Sequence, residues 1–294
     1  GRGRGPSVPV SLAAVADLLA CPTCADRDLL DSPLELVGTT LQCSHGHAYD
    51  VARQGHVNLL GRAVPRNADG PDMVAARERF LGSGAYDRVA DALATAALRS
   101  PAAPPGGSAV LDVGAGPGWY LDRVLARVDA AGRPGRGVAL DVSPAAARRA
   151  ARSRWDVGAV VADAWGRLPV RSGSIDVALS VFAPRQPGEL ARVLARGGVA
   201  LVVSPLPEHL AGLRAAWGLL DVEPNKQERL SATFGEHLVG VDEVDVRYPA
   251  ALEGSTLEDL VAMGPNAFHH ETAARTGAPD EIEVAVRLST WRAG

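Results

Sequence analysis

The 294-residue sequence predicts an open α/β domain built on a parallel sheet, preceded by a small metal-dependent β-rich module. Three observations carry this expectation. From residue 108 onward, short apolar runs alternate with helical stretches, the pattern of β-α-β units with helices on both faces. A glycine-rich segment, Val110-Leu-Asp-Val-Gly-Ala-Gly-Pro-Gly-Trp119, joins the first of those runs to a helix. All three cysteines lie between residues 21 and 43, with two histidines close behind.

Composition narrows the class. Hydrophobic residues make up 47% and charged residues 22%, enough apolar content for a packed core. No run approaches the ~20 apolar residues that a membrane helix needs, so no membrane partner is expected and the location read from the sequence is cytoplasmic. Three cysteines cannot build a disulfide framework. The net charge of -4 argues against a wholly basic nucleic-acid binder. The charge is uneven, however. Residues 123–196 carry 13 Arg against 6 acids, and residues 223–294 carry 6 basic against 13 acidic residues. That is the polarity of a protein offering one face to a polyanion, or the drift of solvated helix faces.

The chain divides into a flexible tail (1–17), a metal-binding module (18–62), a linker with helices (63–107) and the α/β domain (108–294). Two arginines, an apolar stretch and Leu18-Leu-Ala-Cys21 have the form of a lipoprotein signal. Asp17 interrupts the stretch, and Cys21 has another use. The linker is marked by the polar, turn-rich residues 61–72. Helical spacing returns over 73–99 with Ala75, Phe80, Val89, Leu93 and Leu98. Strands are expected at 109–113, 137–142, 159–162, 175–182 and 199–203. Helices are expected at 119–130, 144–153 and 187–196. Residues 282–288 alternate as a half-buried strand that 239–248 can pair with.

Cys21-Pro-Thr-Cys24 followed by Cys43-Ser-His-Gly-His47 has the ligand types and spacing of a structural Cys3His zinc site. Four protein ligands leave no open position, so such a zinc holds the fold. Either His45 or His47 is the fourth ligand, and His47 has the spacing that lets the chain turn back. His56 reads as a loop residue. The competing use of Cys-x-x-Cys is a redox pair, against which the third Cys and nearby His weigh.

In the glycine-rich segment, Gly114, Gly116 and Gly118 permit a sharp turn and close approach of a ligand. Asp112 precedes the turn inside its strand. Asp141 ends the next strand, where a carboxylate reaches ribose hydroxyls. Asp163 follows the third, beside the place for an adenine. No Gly-Lys-Ser/Thr ending is present, so the loop is not an NTP phosphate loop. The glycines fall at every second position rather than as G-x-G-x-x-G. That favours S-adenosylmethionine, whose sulfonium end needs no phosphate cradle.

Together these residues carry a family. The chain resembles the 23S rRNA (guanine-N1)-methyltransferases, including macrolide-resistance members of the tylosin and mycinamicin type. The likeness runs from Cys21 to about Trp291. It rests on Cys-Pro-x-Cys, Gly46-His-Ala-Tyr-Asp50 and Val51-Ala-Arg-Gln-Gly-His-Val-Asn-Leu-Leu60. It continues through Asp72-Met-Val-Ala-Ala-Arg77, Phe80-Leu-Gly-Ser-Gly-Ala-Tyr86, Val181-Phe-Ala-Pro184, Glu189-Leu-Ala-Arg-Val-Leu194 and Met263-Gly-Pro265. The resemblance implies a class I (Rossmann-like) S-adenosylmethionine-dependent domain behind a zinc-ribbon-like module that helps grip an RNA hairpin. It implies methyl transfer to guanine N1 in a 23S rRNA loop lining the peptide exit tunnel. It implies zinc on Cys21, Cys24, Cys43 and His47, and cofactor contacts from Tyr86, Gly116, Pro117 and His209. Pro117 stands where an acidic residue is often found, and the N-terminal tail is longer than usual.

Phe182 and Arg185, after the fourth strand, are the expected base-recognition residues: one to stack an extruded guanine, the other to hold O6 or a phosphate. Asp163 and His209 are candidates for the N1 proton. Arg53, Arg62 and Arg66 flank the module as candidate RNA contacts. Arg148, Arg149, Arg152 and Arg154 crowd one helix, with Arg148 and Arg152 read as solvated. A homodimer remains open. Two other functions are weighed: a small-molecule methyltransferase of secondary metabolism, and a binding protein without catalysis. A second grip on the substrate speaks against the first, and the intact glycines and Asp141 against the second.

Overall fold

The computed structural model describes residues 10–27, 29, 31–100, 107–219, 225–252, 254–264 and 281–294. Residues 1–9 of the expected tail and Pro265 of the Met263-Gly-Pro265 motif lie outside them.

The chain opens on a short helix α1 (Val10–Ala13) and a 3-10 turn (Ala16–Leu18). Residues 10–17, expected to belong to a flexible tail, thus have a defined place in the fold. Leu12 and Val15 are fully buried. Gly158, inside the main sheet, leaves the space they fill, since a Cβ there would overlap Val15. Burying two such side chains contributes about 1.5–3 kcal/mol each, which is why this segment packs.

Helix α2 (Pro22–Ala25) starts with Pro22 at its first position, and Cys21 Sγ accepts the Cys24 N–H at 3.4 Å. Strands β1 (Glu35–Val37), β2 (Thr40–Gln42) and β3 (Ala48–Asp50) form a small antiparallel sheet, with Leu36 opposite Leu41 and Leu41 opposite Tyr49. Strand β4 (His56–Asn58) then leaves that sheet. His56, expected in a loop, pairs in this strand with Ala159.

Helices α3 (Pro71–Gly82) and α4 (Asp87–Leu98) replace the continuous helical stretch expected over 73–99. They are separated by a turn containing Gly84, whose φ of 84° is the left-handed region that favours glycine. The domain continues with β5 (Ser108–Val113), α5 (Trp119–Ala130), β6 (Gly135–Asp141), α6 (Pro144–Ala150), β7 (Val157–Val161), β8 (Ile175–Val181) and α7 (Pro187–Val193). It closes with β9 (Leu194–Pro205), α8 (Ala211–Trp217), α9 (Lys226–Gly235), β10 (Val239–Ala251), α10 (Gly254–Ala262) and β11 (Glu281–Arg292).

The main sheet has the order β10-β11-β9-β8-β5-β6-β7-β4. Six strands from β9 to β4 run parallel; at the other edge β11 runs antiparallel to β9, and β10 antiparallel to β11. The expected pairing of 239–248 with 282–288 is present, with Val244 opposite Leu288. The central strands β5 and β7 are buried along their length, as a sheet covered on both faces requires. Strand order reverses between β5 and β8, and ligands collect at the carboxyl ends of strands at such a point.

Because β4 joins β7, the module and the α/β domain share a sheet and a core. Cys21, Cys24, Leu41 and Cys43 sit in one buried cluster with Leu111, Val138 and Val160. The Ala20 N–H bonds Pro169 O at 3.1 Å, and Arg136 pairs with Asp17. Part of the positive charge in the basic middle of the sequence is spent on ion pairs within the fold. Arg123 pairs with Asp87, Arg149 with Glu78, Arg154 with Asp129 and Asp156, and Arg192 with Glu189. Its excess of arginine is therefore not an equal excess of free surface charge. Among the described residues, no helix is long and apolar enough to cross a membrane.

Candidate functional site

The metal site is built from two tight turns. Ligand atoms of Cys21, Cys24, Cys43 and His47 all lie within 4.8 Å of one another. Cys24 and Cys43 Sγ are 3.6 Å apart, and His47 Nδ1 lies 3.5, 3.3 and 3.4 Å from the sulfurs of Cys21, Cys24 and Cys43. Zn–S bonds of about 2.3 Å and Zn–N bonds of about 2.0–2.1 Å give a tetrahedron with edges near these values. The donor set therefore fits zinc. It also decides between the two histidines: His45 Nδ1 approaches Cys24 at 3.5 Å but is exposed and stands beside Ser44 Oγ, whereas His47 Nδ1 faces all three sulfurs. The Tyr49 hydroxyl lies 3.1 Å from Cys21 Sγ and 2.8 Å from Thr23 Oγ1, holding the first ligand turn against β3.

The second site lies at the carboxyl edge of β5 and β6. Gly114, Gly116 and Gly118 have φ of 76°, 55° and 86°. A Cβ on Gly114 would stand 2.5 Å from the Ala183 Cβ, so only glycine lets the loop after β8 close over the loop after β5. Asp141 organises the turn: Oδ2 accepts the Gly116 N–H and Oδ1 the Ser143 N–H, each at 2.8 Å. Burial still raises its pKa. Asp112 is buried, and its Oδ2 has no hydrogen-bond partner. Burial, reinforced by the charges of Asp141 and Asp122, pushes its carboxyl up to about 8. A buried acid held in this state accommodates a cationic group, because a nearby positive charge relieves the cost of ionising it. The glycine cradle, Asp141 and the unpartnered Asp112 oxygen fit S-adenosylmethionine, which carries ribose hydroxyls and, beyond them, a sulfonium and an ammonium.

Beside the cradle stands an aromatic cluster. Tyr86 Oη lies 3.1 Å from His209 Nε2. The Ala285 N–H donates to His209 Nδ1 at 3.2 Å, so the ring hydrogen is on Nε2 and is given to Tyr86. Burial, with Arg214 nearby, depresses the His209 pKa to about 4. His209 is thus a neutral donor whose other nitrogen is already occupied. That removes it from the candidates for the N1 proton. The Tyr86 hydroxyl keeps its own hydrogen to donate, since burial raises its pKa too.

Phe182 lies just past β8 with a left-handed φ of 52°, 40% exposed, its ring 5.7 Å from His209 and 5.8 Å from Tyr86. Such backbone in a bulky residue persists only where the surroundings enforce it. Arg185 is mostly enclosed; it donates to Ala183 O at 3.2 Å, and burial lowers its pKa. Among the described residues it makes no ion pair. Asp163 lies elsewhere on the edge: one oxygen is paired with Arg62, and the other accepts the Trp165 N–H at 2.9 Å. Both its oxygens are engaged, and Arg62 and Asp163, expected to serve RNA and cofactor separately, form one pair. Pro117 sits between Gly116 and Gly118 in the turn. Sequence reasoning passed over Arg77 and Asp69, whose ion pair lies against the cradle. Arg77 was visible only as part of the Asp72–Arg77 motif, with nothing to aim it.

Residues 19–62 match the family RlmA, N-terminal, and residues 110–198 match the family Methyltransferase domain. The chain is 42% identical over 268 residues to the 23S rRNA (guanine(748)-N(1))-methyltransferase of Streptomyces fradiae, covering 91% of this chain and 89% of that protein. It is 40% identical over 293 residues to a Micromonospora griseorubida protein provisionally named a 23S rRNA (guanine-N(1)-)-methyltransferase, covering 93% of this chain and 97% of that protein. Among solved structures, an S-adenosylmethionine-dependent methyltransferase from Aquifex aeolicus aligns with a TM-score of 0.40 at 15% identity, over 64% of this chain and 83% of that one.

Proposed function

Because the chain belongs to the 23S rRNA (guanine-N1)-methyltransferase family, we propose that it methylates a guanine of the 748 type in an rRNA hairpin lining the peptide exit tunnel, and that this modification confers macrolide resistance. The zinc module with Arg62 and Arg66 grips the hairpin, and the edge of β5, β6 and β8 receives one guanine extruded from it.

The observation that carries this reading is the continuity of the two halves. Strand β4 leaves the zinc module to become an edge of the cofactor sheet, and two residues beyond it Leu60 bonds back to Asn58. Arg62 then reaches Asp163. An RNA held by the module is therefore held beside the methyl-transfer edge.

S-adenosylmethionine, when bound, supplies an electrophilic methyl on a sulfonium, so the protein's work is alignment, exclusion of water and handling of the N1 proton. Asp141 fixes the loop, and its place at the end of β6 supports a contact with the ribose. Phe182 offers an exposed ring face for stacking beside Tyr86 and His209. Arg185 offers donors to guanine O6 or a phosphate. Tyr86 and His209 close the methionine end as donors, not as bases. Asp163 contacts the adenine end and is steered by Arg62. As oligomeric reading we put forward a homodimer, to be tested by sedimentation with and without RNA.

The deciding experiment is transfer of radiolabelled methyl to naked 23S rRNA, followed by primer extension. The expected result is label on the RNA and a stop beside one guanine of the exit-tunnel hairpin, because N1 methylation blocks Watson–Crick pairing. Label on small acceptors and none on RNA overturns the reading.

A further inference from the structure

Arg77, on the inner face of α3, occupies a place that cofactor reading of the glycine loop leaves unexplained. A Cβ built on Gly116 would meet Arg77 Cδ at 3.3 Å and its Nη1 at 3.4 Å, so the guanidinium lies directly against the cradle. It is paired there with Asp69 of the linker, and its Nη2 donates to Met263 O at 2.7 Å. Its charge is felt by Asp141 and by the buried Tyr120 hydroxyl, so it stands inside the ring of groups around the loop. Arg77 and Asp69 side chains are 26% and 21% exposed, which leaves the pair reachable from the cleft.

Acidic groups outnumber cations around that ring. Asp69, Asp112 and Asp141 stand about the cradle, with Asp112 uncharged below about pH 8, while Arg77 lies against Gly116 and Arg185 lies beyond Ala183 on the Gly114 side. The amino-acid end of S-adenosylmethionine carries both an ammonium and a carboxylate. Acceptors for the ammonium are plentiful. A carboxylate entering the same cleft needs a donor fork, because an unpaired charge in a partly enclosed site is costly. We propose that Arg77 is the subsite for the α-carboxylate of S-adenosylmethionine and exchanges Asp69 for it when the cofactor enters. This rests on the cofactor reading above. The exchange loosens a contact of the linker, whose Asp69 O also accepts the Ser143 hydroxyl at 2.6 Å at the start of α6. Arg77 is a cofactor-binding residue here, setting how deep the cofactor sits.

The test is calorimetric binding of two probes that differ only in the carboxylate: S-adenosylmethionine and decarboxylated S-adenosylmethionine. Wild type is expected to prefer the first by about 10- to 100-fold, the value of a charge-assisted pair. Arg77→Gln should weaken S-adenosylmethionine by a similar factor and leave the decarboxylated probe nearly unchanged, so that the preference collapses. Arg77→Lys should restore part of it. Asp69→Asn should not weaken S-adenosylmethionine, because Asp69 competes for the guanidinium. If Arg77→Gln weakens both probes equally, or Asp69→Asn loses affinity as Arg77→Gln does, Arg77 merely braces the fold and the proposal is wrong. Should Arg77→Gln fail to fold, the wild-type preference and Asp69→Asn still decide it: a preference near one overturns the proposal. Absence of binding by either probe to wild type would instead strike the cofactor reading itself.

Discussion

The zinc module and the glycine cradle are built by opposite means. Four side chains within residues 21–47 surround the zinc, each aimed by a turn of a few residues. The cradle is largely backbone, and its side chains come from Arg77, Tyr86, Asp112, Asp141, Phe182 and His209, spread over more than a hundred residues. A site made of local turns is specified by spacing. A site made at a sheet edge is specified by the order in which strands assemble. The two regions are nevertheless one structure, since β4 joins β7 and the cysteines share a core with β5 and β6.

The most severe test of that unity is removal of the metal. Structural zinc contributes about 10–16 kcal/mol of apparent binding free energy in small domains, comparable with the whole stability of a typical protein. Cys24→Ser is expected to lose stoichiometric zinc by elemental analysis and to lower the melting temperature of the entire chain in one transition. Two separate calorimetric transitions after chelation would show the halves to be independent.

Next in size is Gly116→Val. A branched residue is strained at φ of 55°, and its Cβ pushes on Arg77. Loss of S-adenosylmethionine affinity should exceed about 100-fold, with zinc content unchanged. Near wild-type affinity would remove this loop from the site.

Protonation gives a finer contrast within the cradle. His209 is depressed to about 4, so the unfolded chain binds its proton first as pH falls. Its contribution is complete above about pH 6.5 and is lost as pH drops toward 4, by about 3 kcal/mol at most. Asp112, raised to about 8, acts oppositely: without cofactor, its contribution is complete below about pH 4 and is lost as pH rises toward 8. Denaturant melts across pH for wild type, His209→Asn and Asp112→Asn should show the two slopes with opposite sign. Equal slopes in all three proteins would contradict both assignments.

The smallest expected effect separates RNA from cofactor. Arg66 is exposed, and Arg66→Ala should flatten the salt dependence of RNA binding by ~0.7–0.9 log units per log unit of salt with cofactor affinity unchanged. Arg62→Ala should alter both, because it frees Asp163. Binding of each ligand across a salt series measures this; parallel RNA slopes for wild type and Arg66→Ala would take Arg66 off the RNA.

The sequence by itself determined the three cysteine ligands of the metal and the two histidines from which the fourth comes, the glycine turn with Asp112 and Asp141, and the alternation of strands and helices. All of these depend on near neighbours: turn geometry, backbone freedom at glycine, and the periodicity of apolar residues. Tertiary structure alone decided what depends on residues distant in the chain. It chose His47 over His45 by facing one nitrogen toward three sulfurs. It set His209 as a donor by placing the Ala285 N–H on the other side of its ring. It packed Leu12 and Val15 against Gly158, where composition had pointed to a loose tail. It spent much of the arginine excess on internal ion pairs, and it brought Arg77 to the loop at Gly116, 39 residues further along the chain. Partner choice for a charge or a ring nitrogen is settled by which groups the fold brings within a few ångströms, and one-dimensional spacing does not carry that distance.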